Sequence, residues 1–229
     1  MKDLKTNDKI FYSIKFIIIG NQNVGKTNII QRFTKGKFSN EYLITVGVDY
    51  LSHNIKIENK IFHLQIWDTA GSEKFKSITK SYFSNSACAL IVYDITNEYS
   101  FNSVKQWIEE CQNYTNKNIV LILIGNKNDL KEERKISEEQ GKSLAESYGM
   151  EFYESSALTG NNINEIFFNA CKTINNNINK NLYDLEELSN GIKICKMDNN
   201  MNIDKEIKNQ KLSIKLENKK HLKKKKCNC

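Results

Sequence analysis

Eight consecutive residues carry the densest chemistry in the chain: Gly20-Asn21-Gln22-Asn23-Val24-Gly25-Lys26-Thr27. Their spacing is G-x-x-x-x-G-K-[ST]. They follow an apolar run, Ile14 to Ile19, and open a helical pattern over Lys26–Thr34. Strand, glycine-rich loop and helix in that order make a cradle for phosphate oxygens. Backbone N–H groups must turn inward, and Gly20 and Gly25 permit conformations that a Cβ obstructs. The helix adds its unpaired N–H groups and the positive end of its dipole. Lys26 can reach the β- and γ-phosphates, and the Thr27 hydroxyl can ligate Mg²⁺. The competing reading, a chance Gly-rich turn, has the strand–loop–helix context against it.

Three further stretches extend the site. Trp67-Asp68-Thr69-Ala70-Gly71 puts a carboxylate at a strand end, where it can hold the Mg²⁺ shell, and Gly71 lets a backbone N–H approach the γ-phosphate. Alone this is a weak signal, equally a strand ending in a turn. Asn126-Lys127-Asn128-Asp129 follows the apolar run Leu121–Gly125. A carboxylate there can accept two parallel hydrogen bonds from N1–H and N2–H₂ of guanine. Adenine offers no such donors and would leave the carboxylate unpaired, at about 1–3 kcal/mol or more. Asp129 therefore selects GTP over ATP and counts against a P-loop ATPase or kinase. The plain alternative is a polar loop closing a strand. In Ser155-Ser156-Ala157-Leu158 the Ala157 N–H can meet guanine O6, though the sequence is a common one.

Strand patterns lie at Lys15–Ile19, Val46–Ile57, Lys60–Trp67, Cys88–Tyr93, Ile119–Ile124 and Glu151–Tyr153. Helical patterns lie at Lys26–Thr34, Phe101–Tyr114, Ser137–Tyr148 and Ile163–Ile178. Only the second and third strands are joined by a tight turn, Glu58-Asn59. The expected fold is therefore α/β: a mostly parallel six-stranded sheet with one antiparallel pair and about five flanking helices. Each motif follows a strand, so together they line one crevice at the carboxyl ends. The predicted organisation is a flexible N-terminus (1–9), a nucleotide-binding domain (10–179) and a flexible tail (180–229).

Net charge is +7, and residues 180–229 hold 13 Lys against 7 acidic residues. The nearly neutral remainder argues against a nucleic-acid-binding face. No run of 18 apolar residues marks a transmembrane span, and polar Met1–Lys9 is unlike a signal peptide. Six cysteines without regular spacing read as reduced thiols. His53 and His63 read as surface or rim groups.

The P-loop, Thr45, D-T-A-G, N-K-x-D and S-A, in this order, resemble the Ras superfamily of small GTPases. Flanking residues are similar to the Rab family: Thr45-Val46-Gly47-Val48-Asp49-Tyr50, Leu64-Gln65-Ile66-Trp67, Phe75-Lys76-Ser77-Ile78-Thr79 and Leu90-Ile91-Val92-Tyr93-Asp94-Ile95-Thr96. The likeness spans roughly Ile14 to Ile178. Gly20-Asn21, Asn118-Ile119-Val120, Ser156–Gly160 and the terminal C-x-C most resemble endosomal-recycling Rabs, with Golgi relatives close behind.

The resemblance implies a fold of the small G-protein type and the hydrolysis of GTP to GDP with Mg²⁺ held by Thr27, Thr45 and Asp68. It implies nucleotide contacts from Gln22, Asn23, Val24, Gly25, Lys26, Thr27, Asn28, Phe38, Thr45, Gly71, Asn126, Lys127, Asp129, Ser156, Ala157 and Leu158. Phe38 would stack on the guanine edge. Phe38–Tyr50 and Gly71–Tyr82 would be the two switch segments, ordered by the γ-phosphate and released after hydrolysis. Tyr50, Trp67 and Tyr82 match the aromatic triad read by effectors, with plain core packing as the alternative for Trp67. The catalytic set would be Lys26, Thr45 and the position of Ser72.

Ser72 departs from the family, which usually has a glutamine there to orient the attacking water. A serine hydroxyl is too short for that task, so slow unaided hydrolysis is expected. A Rab-type GTPase-activating protein can supply arginine and glutamine in trans, and an arginine finger alone is worth about 10³–10⁵ in rate. Gln22 stands where the family prefers a small residue, and can either obstruct that arginine or help hold the water.

The tail ends in a lysine run and Cys227-Asn228-Cys229. The terminal C-x-C resembles a double geranylgeranylation site at Cys227 and Cys229, and two lipid chains with a polybasic patch anchor stably where one chain does not. A solvated tail, a nuclear-localisation-like run and a partial metal site are the alternatives. The implied partners are an exchange factor, a GTPase-activating protein, a GDP-dissociation inhibitor, a prenylation escort, effectors and a membrane, around a monomeric core. The implied location is the cytoplasmic face of intracellular membranes, endosome before Golgi. The competing class is a GTP-locked pseudo-GTPase that serves as a membrane scaffold.

Overall fold

The computed structural model describes residues 10–39, 45, 48–71 and 82–196. Ser72, most of both switch segments, Phe75–Thr79, the lysine run, Cys227 and Cys229 lie outside the described residues. The chain divides into one compact unit, Phe11–Cys195, and the terminal stretches Met1–Ile10 and Lys196–Cys229.

The element order is β1 (Ile10–Ile19), α1 (Lys26–Lys35), β2 (Val48–Ile57), β3 (Lys60–Thr69), β4 (Cys88–Asp94), α2 (Glu98–Asn102), α3 (Val104–Tyr114), β5 (Val120–Asn126), α4 (Glu138–Ser147), β6 (Glu151–Glu154), α5 (Ile163–Asn179) and β7 (Ile192–Lys196). The strands form one sheet ordered β2-β3-β1-β4-β5-β6, with β7 beside β1. The pairs β1–β4, β4–β5 and β5–β6 are parallel, and β2–β3 is antiparallel. The doubly covered, mostly parallel sheet is the expected α/β architecture, with β7 as a seventh strand beyond the six expected.

Alternation along the central strands builds a core on each face, because successive side chains point to opposite sides. Phe16, Ile18, Leu90, Val92, Ile122 and Ile124 pack with Ile29, Ile30 and Phe33 of α1 and Phe167 of α5. Ile17, Ile19, Ala89, Ile91 and Leu123 pack with Val104, Trp107 and Ile108 of α3 and Ala145 of α4. Strands covered on both sides therefore read as continuous apolar runs.

Local signals set the boundaries. Ser137 and Gln140 form a reciprocal capping box at the start of α4. Asn97 caps α2 by accepting from the Ser100 N–H, and Ser103 divides α2 from α3, so the single helix expected over Phe101–Tyr114 is two. The turn at Glu58, φ 54°, pairs Ile57 with Lys60 and sets Tyr50 opposite Trp67.

Two expectations are corrected. The predicted tail does not begin at 180. Tyr183, Asn190 and Ile192 are buried. Tyr183 donates its hydroxyl to Asn118 O at 3.1 Å, and Lys15 N–H donates to Gly191 O at 2.9 Å. Lys15 O accepts from Ala87 N. Both polar groups of a strand residue point to the same edge, so β7 occupies the edge of β1 that β4, which pairs only from Phe16, leaves open. Gly191 makes this possible: its φ is +69°, and a Cβ there would lie 2.5 Å from Asn85 O. His63, expected at the rim, is buried, hydrogen-bonded to Asn54 at 2.7 Å and stacked on Phe11. Among the described residues no helix is long and apolar enough to cross a membrane.

Candidate nucleotide-binding site

The loop after β1 is shaped by backbone conformations that need small or turn-prone residues. Gly20 sits at φ +140°, and a Cβ there would lie 2.2 Å from Val92 O. Asn23 and Gly25 are left-handed, at 65° and 97°, and Gly25 sits against the Asn126 amide. The loop opens α1, so the N–H groups of its first turn face the loop's hollow. Lys26 is buried and donates to Gly20 O at 2.9 Å and Asn21 O at 2.8 Å. Burial pulls its pKa down to about 8, opposed by Asp68. Gly71 closes on the same loop, its missing Cβ 2.5 Å from Gln22 N and Lys26 Nζ.

Three oxygen-bearing side chains converge beside Lys26. Thr27 donates to Asp68 Oδ2 at 2.5 Å, and its hydroxyl lies 3.0 Å from that of Thr45. Thr45 is 3.5 Å from the same carboxylate oxygen. Asp68 Oδ1 is buried with no hydrogen-bond partner among the described residues. Burial raises the Asp68 pKa, and the Thr27 hydroxyl and Lys26 pull it back. A dry carboxylate with a spare oxygen beside two hydroxyls is a set of hard donors and fits Mg²⁺. Thr27, Thr45 and Asp68 would hold the ion, whose charge would offset that of phosphate groups.

The base end is built from the carboxyl ends of β5 and β6. Asn126 bridges them, donating to Val24 O at 2.8 Å and accepting from Ser155 Oγ and Ala157 N at 3.3 Å. The Ala157 N–H expected for guanine O6 thus points to Asn126 in this structure. Asp129, half-buried, accepts a short hydrogen bond from the Ser156 hydroxyl, which orients its carboxylate. Lys127, at φ 69°, pairs with Asp94 at 2.6 Å. Gln22, Asn23 and Leu158 are exposed, and Phe38 packs at the edge of the core.

A model of the Ras family matches residues 15–176. The chain belongs to the Ras family. It is a small GTPase, and the family binds guanine nucleotides with Mg²⁺. The matched span contains the P-loop, the Asp68 cluster and Asp129.

Several contacts around the site have no motif to announce them. Trp107 Nε1 donates to Asn21 Oδ1 at 2.7 Å, and Asn21 Nδ2 donates to Ser103 at 3.2 Å, which pins the P-loop to α3. Arg134 forks onto Glu154 through two bonds of 2.5 and 2.7 Å, bracing the end of β6. Arg32 reaches from α1 to the Ala157 carbonyl. Each joins residues distant in the chain, so spacing along the sequence carries no trace of them.

Tyr50, Trp67 and Tyr82 form a contiguous half-buried cluster. Trp67 meets Tyr50 edge-on at 5.5 Å and lies 5.3 Å from Tyr82. Lys15 sits 5.1 Å over the Trp67 ring and donates to Ser84 O. The Trp67 Nε1 and Tyr50 hydroxyl are buried without a hydrogen-bond partner among the described residues. Cys88, Cys111 and Cys171 are free buried thiols, and burial pushes Cys111 up to about 12, so they are chemically quiet.

Proposed function

We propose that this Ras-family GTPase is a membrane-anchored switch of the Rab type that recruits effectors in vesicle transport when GTP-bound. The observation that carries the reading is the Tyr50–Trp67–Tyr82 cluster. It joins β2 and β3 to the residue that closes the second switch segment, and two of its polar atoms have no partner among the described residues. A surface of amphipathic rings with unspent donors suits a protein partner.

Lys26 and the P-loop N–H groups hold the β- and γ-phosphates. Thr27, Thr45 and Asp68 hold the ion, and Thr45 brings the first switch segment with it. Loss of the γ-phosphate would remove the contact that keeps Thr45 there, and Tyr50 and Trp67 of the aromatic cluster lie on the strands that adjoin both segments. Cys227 and Cys229 carry two prenyl chains, with the lysine run before them on the anionic leaflet. An escort protein, an exchange factor, a GTPase-activating protein and a GDP-dissociation inhibitor complete the cycle. The membrane is the cytoplasmic face of the endosome, with the Golgi as alternative.

Lipid transfer tests the anchor and the subfamily together. Incubated with a Rab geranylgeranyl transferase, the full chain will gain two prenyl masses, both on the last three residues and only with the escort protein present. A single adduct, or transfer without the escort, would place the chain outside the Rabs.

A GTP-locked scaffold is the second reading, and Ser72 favours it. Ser72→Gln is expected to raise the single-turnover rate of unaided hydrolysis by about tenfold or more, by giving the water an orienting group. An unchanged rate removes Ser72 as the cause of slow turnover. Retained GTP after purification that no GTPase-activating protein clears would decide for the scaffold.

A further inference from the structure

Arg32 lies in the last turn of α1, six residues beyond Lys26, and belongs to no nucleotide motif. Its guanidinium donates to three backbone carbonyls. Nε reaches Ala157 O at 2.8 Å, one terminal nitrogen makes a short bond to Leu158 O, and the other reaches Gly36 O at 3.1 Å. Two of these carbonyls belong to the loop between β6 and α5, and the third to the left-handed residue that ends α1. The shaft of Arg32 also runs beside Gly160, where a Cβ would sit 3.7 Å from Cδ. One side chain therefore holds the loop from Ala157 to Gly160 against α1 and fixes the direction in which the chain leaves towards Phe38.

Packing holds that loop at Ala157, which is buried in the core, and not beyond it. Leu158 is 47% exposed, and Thr159 is exposed as well. The loop nevertheless has a demanding position, because Ser156 begins it. The Ser156 hydroxyl is the group that orients Asp129, and it also accepts from the Thr159 N–H. A displacement of Ala157 or Leu158 passes through one or two peptide bonds to Ser156. The planar fork of an arginine can grip several carbonyls at once, whereas an ammonium is a compact charge on a flexible stem.

We infer that Arg32 is a positioning residue for guanine selection: by gripping the Ala157 and Leu158 carbonyls it holds Ser156, and through Ser156 the Asp129 carboxylate, in the orientation that reads the base. The inference rests on the guanine-binding role given above to Asp129. It makes Arg32 a part of base recognition that touches no nucleotide atom.

The test uses the full chain with Mg²⁺ and three ligands. GDP carries the complete base and two phosphates. IDP lacks the 2-amino group that Asp129 receives, so the GDP:IDP affinity ratio reads the carboxylate. GMP lacks the β-phosphate, so the GDP:GMP ratio reads the P-loop. In Arg32→Met the GDP:IDP ratio is expected to fall by about fivefold or more, as for residues coupled through shared contacts. The GDP:GMP ratio should stay within about twofold of the parent chain, since the P-loop sits at the other end of α1. Arg32→Lys should fall between the two, and it carries the test alone if the Met variant does not fold. An unchanged GDP:IDP ratio in a folded variant overturns the inference. So does an equal fall in both ratios, which would show a generally loosened domain. A parent chain that binds GDP no better than IDP would instead bring down the assignment of Asp129, before any variant is measured.

Discussion

Replacing Asp129 by Asn will lower GDP affinity by about a hundredfold or more and turn the site towards xanthine. Guanine presents two donors, N1–H and the 2-amino group. On the proposed reading the Asp129 carboxylate would accept both, and the Ser156 hydroxyl donates to one of its oxygens. An amide has one acceptor and one donor group in the same space. One guanine bond is lost and two donors are brought face to face. A hydrogen bond to a charged partner contributes about 1.5–3 kcal/mol, so the lost bond alone accounts for up to about a hundredfold and the facing donors add to it. Xanthine carries a carbonyl where guanine has the amine, and so matches the amide. Competition binding with GDP and XDP reads both halves of the exchange. Equal losses for the two would mean that the substitution damaged the loop and not the recognition.

The second large effect is on stability, at a position the sequence placed in a tail. Ile192 is fully buried in the core shared by α1 and α5. Ile192→Ala should cost about 2–4 kcal/mol, the usual range for a large-to-small change at a closed site. In a domain of this size that lowers the thermal midpoint by roughly 4–16 °C at fixed nucleotide and Mg²⁺ concentration. Gly191→Val should act in the same direction, because its Cβ meets the Asn85 carbonyl and its φ is positive. A solvated tail would absorb either change within about 0.5 kcal/mol. Unchanged midpoints in both variants would mean that β7 is not docked in solution.

These two positions mark where the sequence was readable. Asp129, Lys26 and Thr27 were legible because phosphate and base chemistry demand particular residue types at short fixed spacing. The central strands were legible because burial on both faces leaves unbroken apolar runs. β1 starts at Ile10 and not at Lys15, since Ser13 and Lys15 interrupt the run although Ser13 is buried. β7 was hidden for a similar reason. Its five residues hold two isoleucines between lysines, in a stretch rich in Asn and Glu, and its partner lies some 180 residues earlier. The Ile192–Lys193–Ile194 alternation was the available signal. For Arg32 and Trp107 no local signal existed. Arg32 bonds to carbonyls, which every residue has, and Trp107 bonds to a single amide across 86 positions. Such contacts are products of the fold and are invisible before it is known.

The docking of β7 also decides how mechanical load enters the molecule. A chain held by its C-terminus is pulled through Lys196, and β7 takes up the tension ahead of α5. From there the backbone bond between Gly191 and Lys15 hands it to β1. From Lys15 that strand runs roughly 16 Å, at 3.3 Å per residue, to the glycine that opens the P-loop. Traction applied at Lys196 is thus delivered along a stiff rod that ends at the P-loop.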